Sequence, residues 1–359
     1  MTMTTTRMRA EIGEQPEALR RTIDALLPRV PDLAALAGET RQVLFIARGS
    51  SDNAAVYGRY LVESHAGRLA SLAAPSIATT YRGRLDLDGV LAVAISQSGK
   101  TEEIVETLDW AAGCGARTVA ITNGDGSPLA ESAEVALITE AGAEIAVPAT
   151  KTYTTQLAAL AVLAIGLGAQ EGGPAGGGGP LDIADLRRAP DEVARLIELT
   201  EASDQLPEIV AELAEVQGTV VSGRGIAFGT ALELALKIKE ACYLHAMGLS
   251  YADLLHGPIA VVDDRTPALL VAADSGPTLP GTVALAHRVR DAGARAYGVG
   301  GGPGLAAACS RALPGPDLPE WVAPLGLIVP GQILVEALAR RLGADPDVPR
   351  GLNKVTQTD

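Results

Sequence analysis

The sequence predicts an α/β protein made of two related domains, each with a parallel sheet flanked by helices. Short apolar runs are repeatedly followed by a glycine- or serine-rich turn and then by a segment of helical length, which is typical of βαβ units. One such strand–turn–helix unit recurs 176 residues later, where Arg224-Gly225 aligns with Arg48-Gly49. A stretch rich in glycine and proline separates the two halves.

The first half carries the clearer pattern. Residues 8–27 have apolar side chains at helical spacing and predict one amphipathic helix that ends near Pro28 and Pro31. Further along, strands are predicted at 42–47, 90–95 and 118–122, and helices at 52–63 and 101–113. Strands that alternate with helices of this length indicate a parallel sheet.

The boundary between the halves is visible in composition. Residues 171–180 have little to bury and much conformational entropy to lose, which indicates a linker or a loop at a domain boundary. After it, residues 219–225 again form a strand and a glycine turn, followed by a helix through Glu240. We therefore predict an N-terminal helix (1–32), a first domain (33–168), a linker (169–190), a second domain with its leading helix (191–340) and a C-terminal tail (341–359).

Charge and cysteine usage exclude several classes of function. The 29 basic and 43 acidic side chains give a net charge of -14, which disfavours nucleic acid and anionic membranes as partners. An anionic substrate must then be held by local donors. The three cysteines have neither disulfide nor zinc-site spacing, so we expect no metal and three small buried or half-buried hydrophobes.

No apolar run reaches the length of a membrane span. The longest, residues 157–167, is about half of what a span needs. The first residues lack the apolar core of a signal peptide, so we expect a cytoplasmic protein.

Residues 96–101, Ser-Gln-Ser-Gly-Lys-Thr, lie between a predicted strand and a predicted helix N-terminus. Hydroxyls, backbone N–H groups and the positive end of a helix dipole converge there, which suits a phosphate monoester. A serine-rich helix cap is the alternative, because Ser and Thr are favoured at that position in any helix. Ser50 and Ser51 follow a neighbouring strand, and ligands of open parallel sheets bind at the carboxyl ends of strands. Together the two loops favour an anion site.

The second half offers a carboxylate, an imidazole and an amine in Glu240, His256 and Lys237. These groups cover proton abstraction, protonation of a ring oxygen and stabilisation of charge. Each has an ordinary alternative, because Lys237 and Glu240 can be a surface i,i+3 pair and His256 can hold the turn that follows it. The pattern of residues 351–359 is also compatible with an ordinary frayed tail.

Several motifs resemble the sugar-isomerase (SIS) region of glucosamine-6-phosphate synthase and its glutaminase-free relatives. The matching stretches are residues 48–53, 95–99, 149–157, 235–240, 255–258 and 354–356. They run in family order through nearly the whole chain. The resemblance implies two tandem SIS domains, each a flavodoxin-like three-layer sandwich, with a sugar phosphate as partner and no cofactor. It also implies a homodimer.

The resemblance further implies roles for individual positions. Those that match phosphate- and sugar-binding residues are Ser50, Ser51, Ser96, Gln97, Ser98, Thr101, Val147 and Ala149. Glu240 matches the base that moves a proton between C1 and C2. His256 matches the ring-opening histidine, which in the family reaches in from the neighbouring subunit. Lys354 matches a tail lysine that contacts the open-chain sugar, and Lys237 matches a lysine beside the base.

Three segments, residues 49–52, 74–77 and 351–358, look most similar to SIS-type glucosamine-6-phosphate deaminases, which release ammonia and leave fructose 6-phosphate. Because only a short helix precedes the first domain and no glutaminase cysteine is present, we expect no glutamine-dependent synthesis. Three positions depart from the synthase pattern: Lys100 replaces an acidic residue, Asp253 a glutamate and Ala149 a serine.

Two alternatives remain open at this point. One is an isomerase, deglycase or aminotransferase that acts on another amino-sugar phosphate, such as galactosamine 6-phosphate. The other is a regulator that binds a phosphosugar without catalysis. The joint presence of Glu240, His256 and Lys354 favours an enzyme.

Overall fold

Helices and strands alternate along the chain in the computed structural model, which describes residues 5–169 and 178–354. Its α-helices are α1 (Arg7–Gly13), α2 (Gln15–Leu26), α3 (Val30–Glu39), α4 (Ser50–Ser64), α5 (Ser76–Thr79), α6 (Glu102–Gly113), α7 (Pro128–Ser132), α8 (Lys151–Gly168), α9 (Ile183–Glu201), α10 (Gln205–Leu213), α11 (Phe228–Cys242), α12 (Tyr251–Leu255), α13 (Leu279–Asp291), α14 (Gly302–Ala308) and α15 (Pro324–Arg341). Its strands are β1 (Gln42–Ile46), β2 (Leu69–Leu72), β3 (Val90–Ile95), β4 (Arg117–Thr122), β5 (Val135–Ile138), β6 (Gly218–Gly223), β7 (His245–Ser250), β8 (Ala268–Ala272), β9 (Ala296–Gly300) and β10 (Arg311–Leu313).

The first compact unit contains residues 17–143, 152–169 and 178–187 and is built on the parallel sheet β2-β1-β3-β4-β5. On one face, Ile46 of β1 and Leu108 of α6 belong to the same buried cluster. Phe45 points to the opposite face and meets α4 and α8 at Gly58, where an added Cβ would lie 2.7 Å from Leu160. Helices therefore cover both faces of this sheet.

The second compact unit contains residues 5–16, 144–151 and 188–354 and is built on the parallel sheet β10-β9-β8-β6-β7. Leu270 of β8 and Leu285 of α13 lie in the buried cluster on one face. Helix α11 packs closely on the other face, where a Cβ added at Gly248 of β7 would lie 3.0 Å from Leu232. This unit is also a three-layer sandwich.

The two sheets have the same topology. Counted in chain order within each unit, the strands lie in the order 2-1-3-4-5, which is the flavodoxin-like order. β1 and β6 occupy the same position and begin 176 residues apart, at Gln42 and Gly218. The predicted fold class and internal duplication are confirmed.

The N-terminal segment differs from its prediction. The single helix expected over residues 8–27 is divided at Glu14 into α1 and α2. Pro16 is the physical reason, because it has no N–H to donate to the Ile12 carbonyl and its ring crowds that carbonyl. α2 ends at Leu26, near Pro28 as predicted, and Pro31 lies in the first turn of α3, a position that prolines fit. A 3-10 turn at Leu27–Arg29 leads directly into α3.

Other predicted features have mixed outcomes. Of the predicted linker, residues 170–177 lie outside the described part of the chain, and residues 183–190 form the first turns of α9. Six of the described strands have no counterpart among the predicted ones: β2, β5, β7, β8, β9 and β10. Cys242 and Cys309 are buried and Cys114 is half-buried, as expected. No helix in the described ranges is both long and apolar enough to span a bilayer.

Candidate functional site

The 96–101 loop joins β3 to α6 in the first unit. Gly99 has a φ of 63°, and an added Cβ would overlap the Ser127 side chain, so the loop needs glycine at this position. The following strand and helix fix the loop. The Asn123 N–H donates to the Gln97 carbonyl and the Leu129 N–H donates to the Gly99 carbonyl, each at 3.1 Å. The backbone of the loop is thus held in place by the protein itself.

The hydroxyls of this loop are not consumed in capping α6. Thr101 is the N-cap residue, but its side chain makes no cap hydrogen bond. The Ser98 oxygen accepts the Lys100 N–H at 3.2 Å, which leaves the hydroxyl proton available to donate. Ser96 is buried, whereas Gln97, Ser98 and Thr101 are half-buried. A simple helix cap therefore does not explain the polar residues at these positions.

Ser50 and Ser51, the first residues of α4, lie at the same edge of the sheet as the 96–101 loop, because β1 and β3 are neighbours. Arg48, just after β1, donates two hydrogen bonds of 2.9 and 2.8 Å to Glu103 in the first turn of α6. The buried Ser51 oxygen accepts a hydrogen bond of 3.0 Å from the Gln156 amide. The Arg48–Glu103 ion pair thus joins the start of α4 to the start of α6, at the sheet edge that carries the hydroxyls of Ser50 and Ser51 and those of the 96–101 loop.

In the second unit, α11 carries two carboxylates around a buried lysine. Lys237 donates to Glu240 and lies 3.5 Å from Glu233. The Glu233 and Lys237 side chains are 0% and 2% exposed, whereas Glu240 is 22% exposed and can reach a ligand. Burial acts to lower the pKa of Lys237, but the two carboxylates outweigh it and raise the pKa above its ordinary 10.5. Lys237 is therefore a fixed ammonium ion at neutral pH.

Lys354 lies against residues 144–150 of the same unit. Its ammonium donates to Glu144 at 2.5 Å and to the Ala146 carbonyl at 2.7 Å. The fully buried Glu144 also accepts the Thr150 N–H at 2.9 Å and the Thr150 hydroxyl at 3.2 Å. Glu144 acts electrostatically on Lys237 as well, so the two lysines share one carboxylate neighbour. Up to Lys354, the tail is anchored and not frayed.

The 144–150 segment also holds Val147 and Ala149, both half-buried. The Val147 N–H donates to the Asp347 carbonyl of the tail at 2.9 Å. Glu11 of α1 accepts the N–H groups of residues 145 and 146, and burial raises the pKa of its carboxyl. This segment is therefore fixed by the N-terminal helix and by the tail.

His256 is placed differently from the other candidates. It follows α12 and is exposed, and its backbone N–H donates to the carbonyls of Ala252 and Asp253. Across residues 5–169 and 178–354, no hydrogen bond or ion pair joins its imidazole to the charged residues described above. A role for His256 across a subunit boundary stays a prediction.

Two carboxylates of the second unit, Glu233 and Glu144, are missing from the predicted site. Glu233 could have been predicted from the sequence, because positions 233, 237 and 240 share one face of a helix. Glu144 could not have been predicted in this way, because its partner Lys354 is 210 residues away along the chain.

The chain contains two doubly wound parallel sheets in tandem, and a serine- and glycine-rich loop lies at the carboxyl edge of the first sheet, where ligands of such sheets bind. The family model described as the SIS domain matches residues 37–166. The chain belongs to the SIS family.

Relatives match over nearly the whole chain. A glutamine–fructose-6-phosphate aminotransferase (isomerizing) from Methanothermobacter thermautotrophicus is 35% identical over 354 residues, which are 97% of this chain and 56% of that protein. The chain thus spans a little over half the length of such curated relatives. The structure resembles a Silicibacter pomeroyi DSS-3 protein described as a phosphosugar isomerase, with 34% identity and a TM-score of 0.84 over 96% of this chain and 100% of that one. It also resembles the C-terminal domain of glucosamine–fructose-6-phosphate aminotransferase from Francisella tularensis, with 28% identity and a TM-score of 0.84 over 97% and 99% of the two chains.

Proposed function

We propose that this protein isomerises an amino-sugar phosphate with release of ammonia, converting glucosamine 6-phosphate and water into fructose 6-phosphate and ammonia. The observation that carries the proposal is the contact of Glu240 with the buried ammonium of Lys237. A carboxylate open to a ligand beside a fixed cation suits proton transfer between adjacent carbons, because the cation stabilises the negative charge that develops on oxygen.

The proposed steps start from the open-chain aldehyde, which His256 would supply by moving a proton between O1 and the ring oxygen. Glu240 removes the proton from C2, the C–H electron pair forms the C1–C2 double bond, and O1 becomes an enolate. The ammonium groups of Lys237 and Lys354 would stabilise that oxygen. After O1 takes a proton from solvent, Glu240 returns its proton to C1, which leaves an alcohol at C1 and a protonated ketimine at C2. Water adds to C2 and ammonia leaves.

The phosphate would be bound by the hydroxyls of Ser51, Ser98 and Thr101 together with the N-terminus of α6. Ser51 and Ser98 each already accept a hydrogen bond through oxygen, so each retains a proton to donate to a phosphate oxygen. Donors of this kind hold an anion in a protein whose net charge is -14. No metal or organic cofactor takes part in the proposed reaction.

The relatives support the chemistry at a coarser level. The Methanothermobacter relative is named an isomerizing aminotransferase of fructose 6-phosphate, and the Silicibacter neighbour is described as a phosphosugar isomerase. Both names combine a phosphorylated sugar with isomerisation. Our proposal assigns to this chain the same type of isomerisation, with water releasing the nitrogen as ammonia.

The test supplies purified protein with glucosamine 6-phosphate and measures ammonia and fructose 6-phosphate together. We expect equal amounts of both, and no turnover of glucosamine, which lacks the phosphate. Galactosamine 6-phosphate serves as the second substrate. Tight binding of glucosamine 6-phosphate without product would contradict the proposed enzymatic activity and favour a regulator that binds a phosphosugar without catalysis. Absence of both binding and product would indicate a different phosphosugar.

Replacement of Gln156 by leucine is expected to weaken binding of the sugar phosphate. The Gln156 amide donates to the Ser51 oxygen and so directs the hydroxyl proton towards a ligand. Loss of one such hydrogen bond corresponds to roughly a three- to tenfold increase in Kd, with kcat little changed. Isothermal titration calorimetry with glucosamine 6-phosphate measures the effect.

The matched control is Ser51→Ala, alone and combined with Gln156→Leu. If Gln156 acts through Ser51, the double variant should bind as weakly as Ser51→Ala and no weaker. Additive losses would mean that Gln156 affects binding by another route.

A further inference from the structure

The candidate catalytic lysine, Lys354, lies on a tail without regular structure. After α15 ends at Arg341, residues 342–354 form turns and bends but contain neither helix nor strand. Irregular backbone keeps much of its conformational freedom unless contacts restrain it. The placement of Lys354 therefore depends on what anchors the tail.

One anchor is Asp347. Its carboxylate accepts the backbone N–H groups of Arg7 and Met8 at 2.9 and 2.8 Å, at the start of α1. Its carbonyl accepts the Val147 N–H at 2.9 Å. These bonds hold the middle of the tail, but Lys354 lies further along the chain and needs a second restraint.

The second anchor is Tyr243. Its hydroxyl oxygen accepts the backbone N–H of Arg350 at 2.8 Å. The Arg350 guanidinium also lies 4.3 Å from the centre of the Tyr243 ring, within the range of a cation–π contact. One side chain thus restrains both the backbone and the side chain of Arg350, shortly before Lys354.

Tyr243 also marks the end of the helix that carries the proposed base. It is the C-cap of α11 and has φ 58° and ψ 22°, in the left-handed region. Glycine adopts this conformation easily, whereas an aromatic residue seldom does. A tyrosine held there against backbone strain indicates that its side chain is required. Because Glu240 lies on the last turn of the same helix, the contact with Arg350 ties the tail to the helix of Glu240.

We propose that Tyr243 is a positioning residue that sets Lys354 relative to Glu240 by anchoring the tail at Arg350. The inference rests on the proposed function, in which Lys354 acts on the open-chain sugar. Loss of the Tyr243 hydroxyl removes one hydrogen bond. The equilibrium constant for release of the tail should therefore increase roughly three- to tenfold.

The test compares Tyr243→Phe with the matched control Tyr81→Phe, which deletes a hydroxyl from an exposed tyrosine of the first unit. Two kinds of measurement are made on the purified protein: steady-state kinetics with glucosamine 6-phosphate, which give kcat and KM, and the rate at which trypsin cleaves after Arg350 in the folded state. For Tyr243→Phe we expect cleavage to rise and kcat to fall, each roughly three- to tenfold, with KM nearly unchanged. Tyr81→Phe should change neither the kinetic constants nor the cleavage rate.

A second variant, Tyr243→Gly, removes both contacts with Arg350 while favouring the left-handed backbone. We expect faster cleavage and lower kcat than in Tyr243→Phe, with a Tm close to that of the wild type. Unchanged cleavage in both variants, or faster cleavage with unchanged kcat, would overturn the proposal. If the wild type does not turn over glucosamine 6-phosphate, the proposed function fails, and the cleavage rates alone decide whether Tyr243 anchors the tail.

Discussion

Replacement of Glu240 by glutamine is expected to lower kcat for fructose 6-phosphate formation by roughly 10²- to 10⁴-fold, the range contributed by general acid–base catalysis. Glutamine has nearly the same shape as glutamate, but its amide does not take a proton from C2 at neutral pH. KM should change little, because the 96–101 loop is untouched. A coupled assay for ammonia and fructose 6-phosphate gives both constants.

The matched control is Glu215→Gln, which neutralises an exposed carboxylate elsewhere in the second unit and should leave kcat unchanged. In deuterated water, wild-type product should carry solvent deuterium at C1, because Glu240 exchanges its proton with solvent before returning it. Full turnover by Glu240→Gln would rule out Glu240 as the base.

Lys237→Met is expected to cause the largest loss of stability. The substitution leaves the fully buried Glu233 without its neighbouring cation. Removal of one partner from a buried ion pair typically costs about 3–5 kcal/mol of unfolding free energy, because the remaining charge is desolvated and uncompensated. Urea unfolding followed by circular dichroism measures the change.

The control is the double variant Glu233→Leu/Lys237→Met. Apolar side chains in place of both charges should recover most of the lost stability, since such replacements are often neutral or stabilising. A double variant as unstable as Lys237→Met would show that a stranded charge is not the cause.

The pH dependence of the Lys237→Met effect has a definite sign. The pKa of Lys237 is raised above its ordinary 10.5 in the folded protein, so its stabilising contribution is complete below that pH. The contribution is lost as pH rises through the folded-state pKa. The difference in unfolding free energy between wild type and variant should therefore shrink only at strongly alkaline pH.

Much of the fold could be predicted from local sequence. The strands β1, β3, β4 and β6 lie where continuous apolar runs meet glycine-rich turns, because a strand buried on both faces leaves that signature. The short edge strands β2 and β5 gave no such signal, since four residues at a sheet edge are too few to form a pattern. Pro16 could have predicted the break between α1 and α2. The apolar periodicity of residues 8–27 instead favoured one continuous helix.

The candidate site was predictable to the extent that its residues are close together in sequence. The 96–101 loop combines hydroxyls, glycine and a helix start within six positions, so its chemistry is visible before folding. Lys237 and Glu240 are likewise neighbours on one helix. Burial decides how much this ion pair contributes to stability. An exposed lysine–glutamate pair contributes little, whereas Lys237 is a desolvated cation held by two carboxylates.

By itself, the sequence determined the α/β class and the duplication, and it predicted the 96–101 loop and the residues that we propose to transfer protons. Only the tertiary structure placed Lys354 against Glu144, anchored Arg350 at Tyr243 and buried Lys237 together with Glu233. The physical reason is that local patterns record hydrogen bonding and burial along one element. Pairing of charges from distant segments, and the pKa values that follow, depend on which elements pack together.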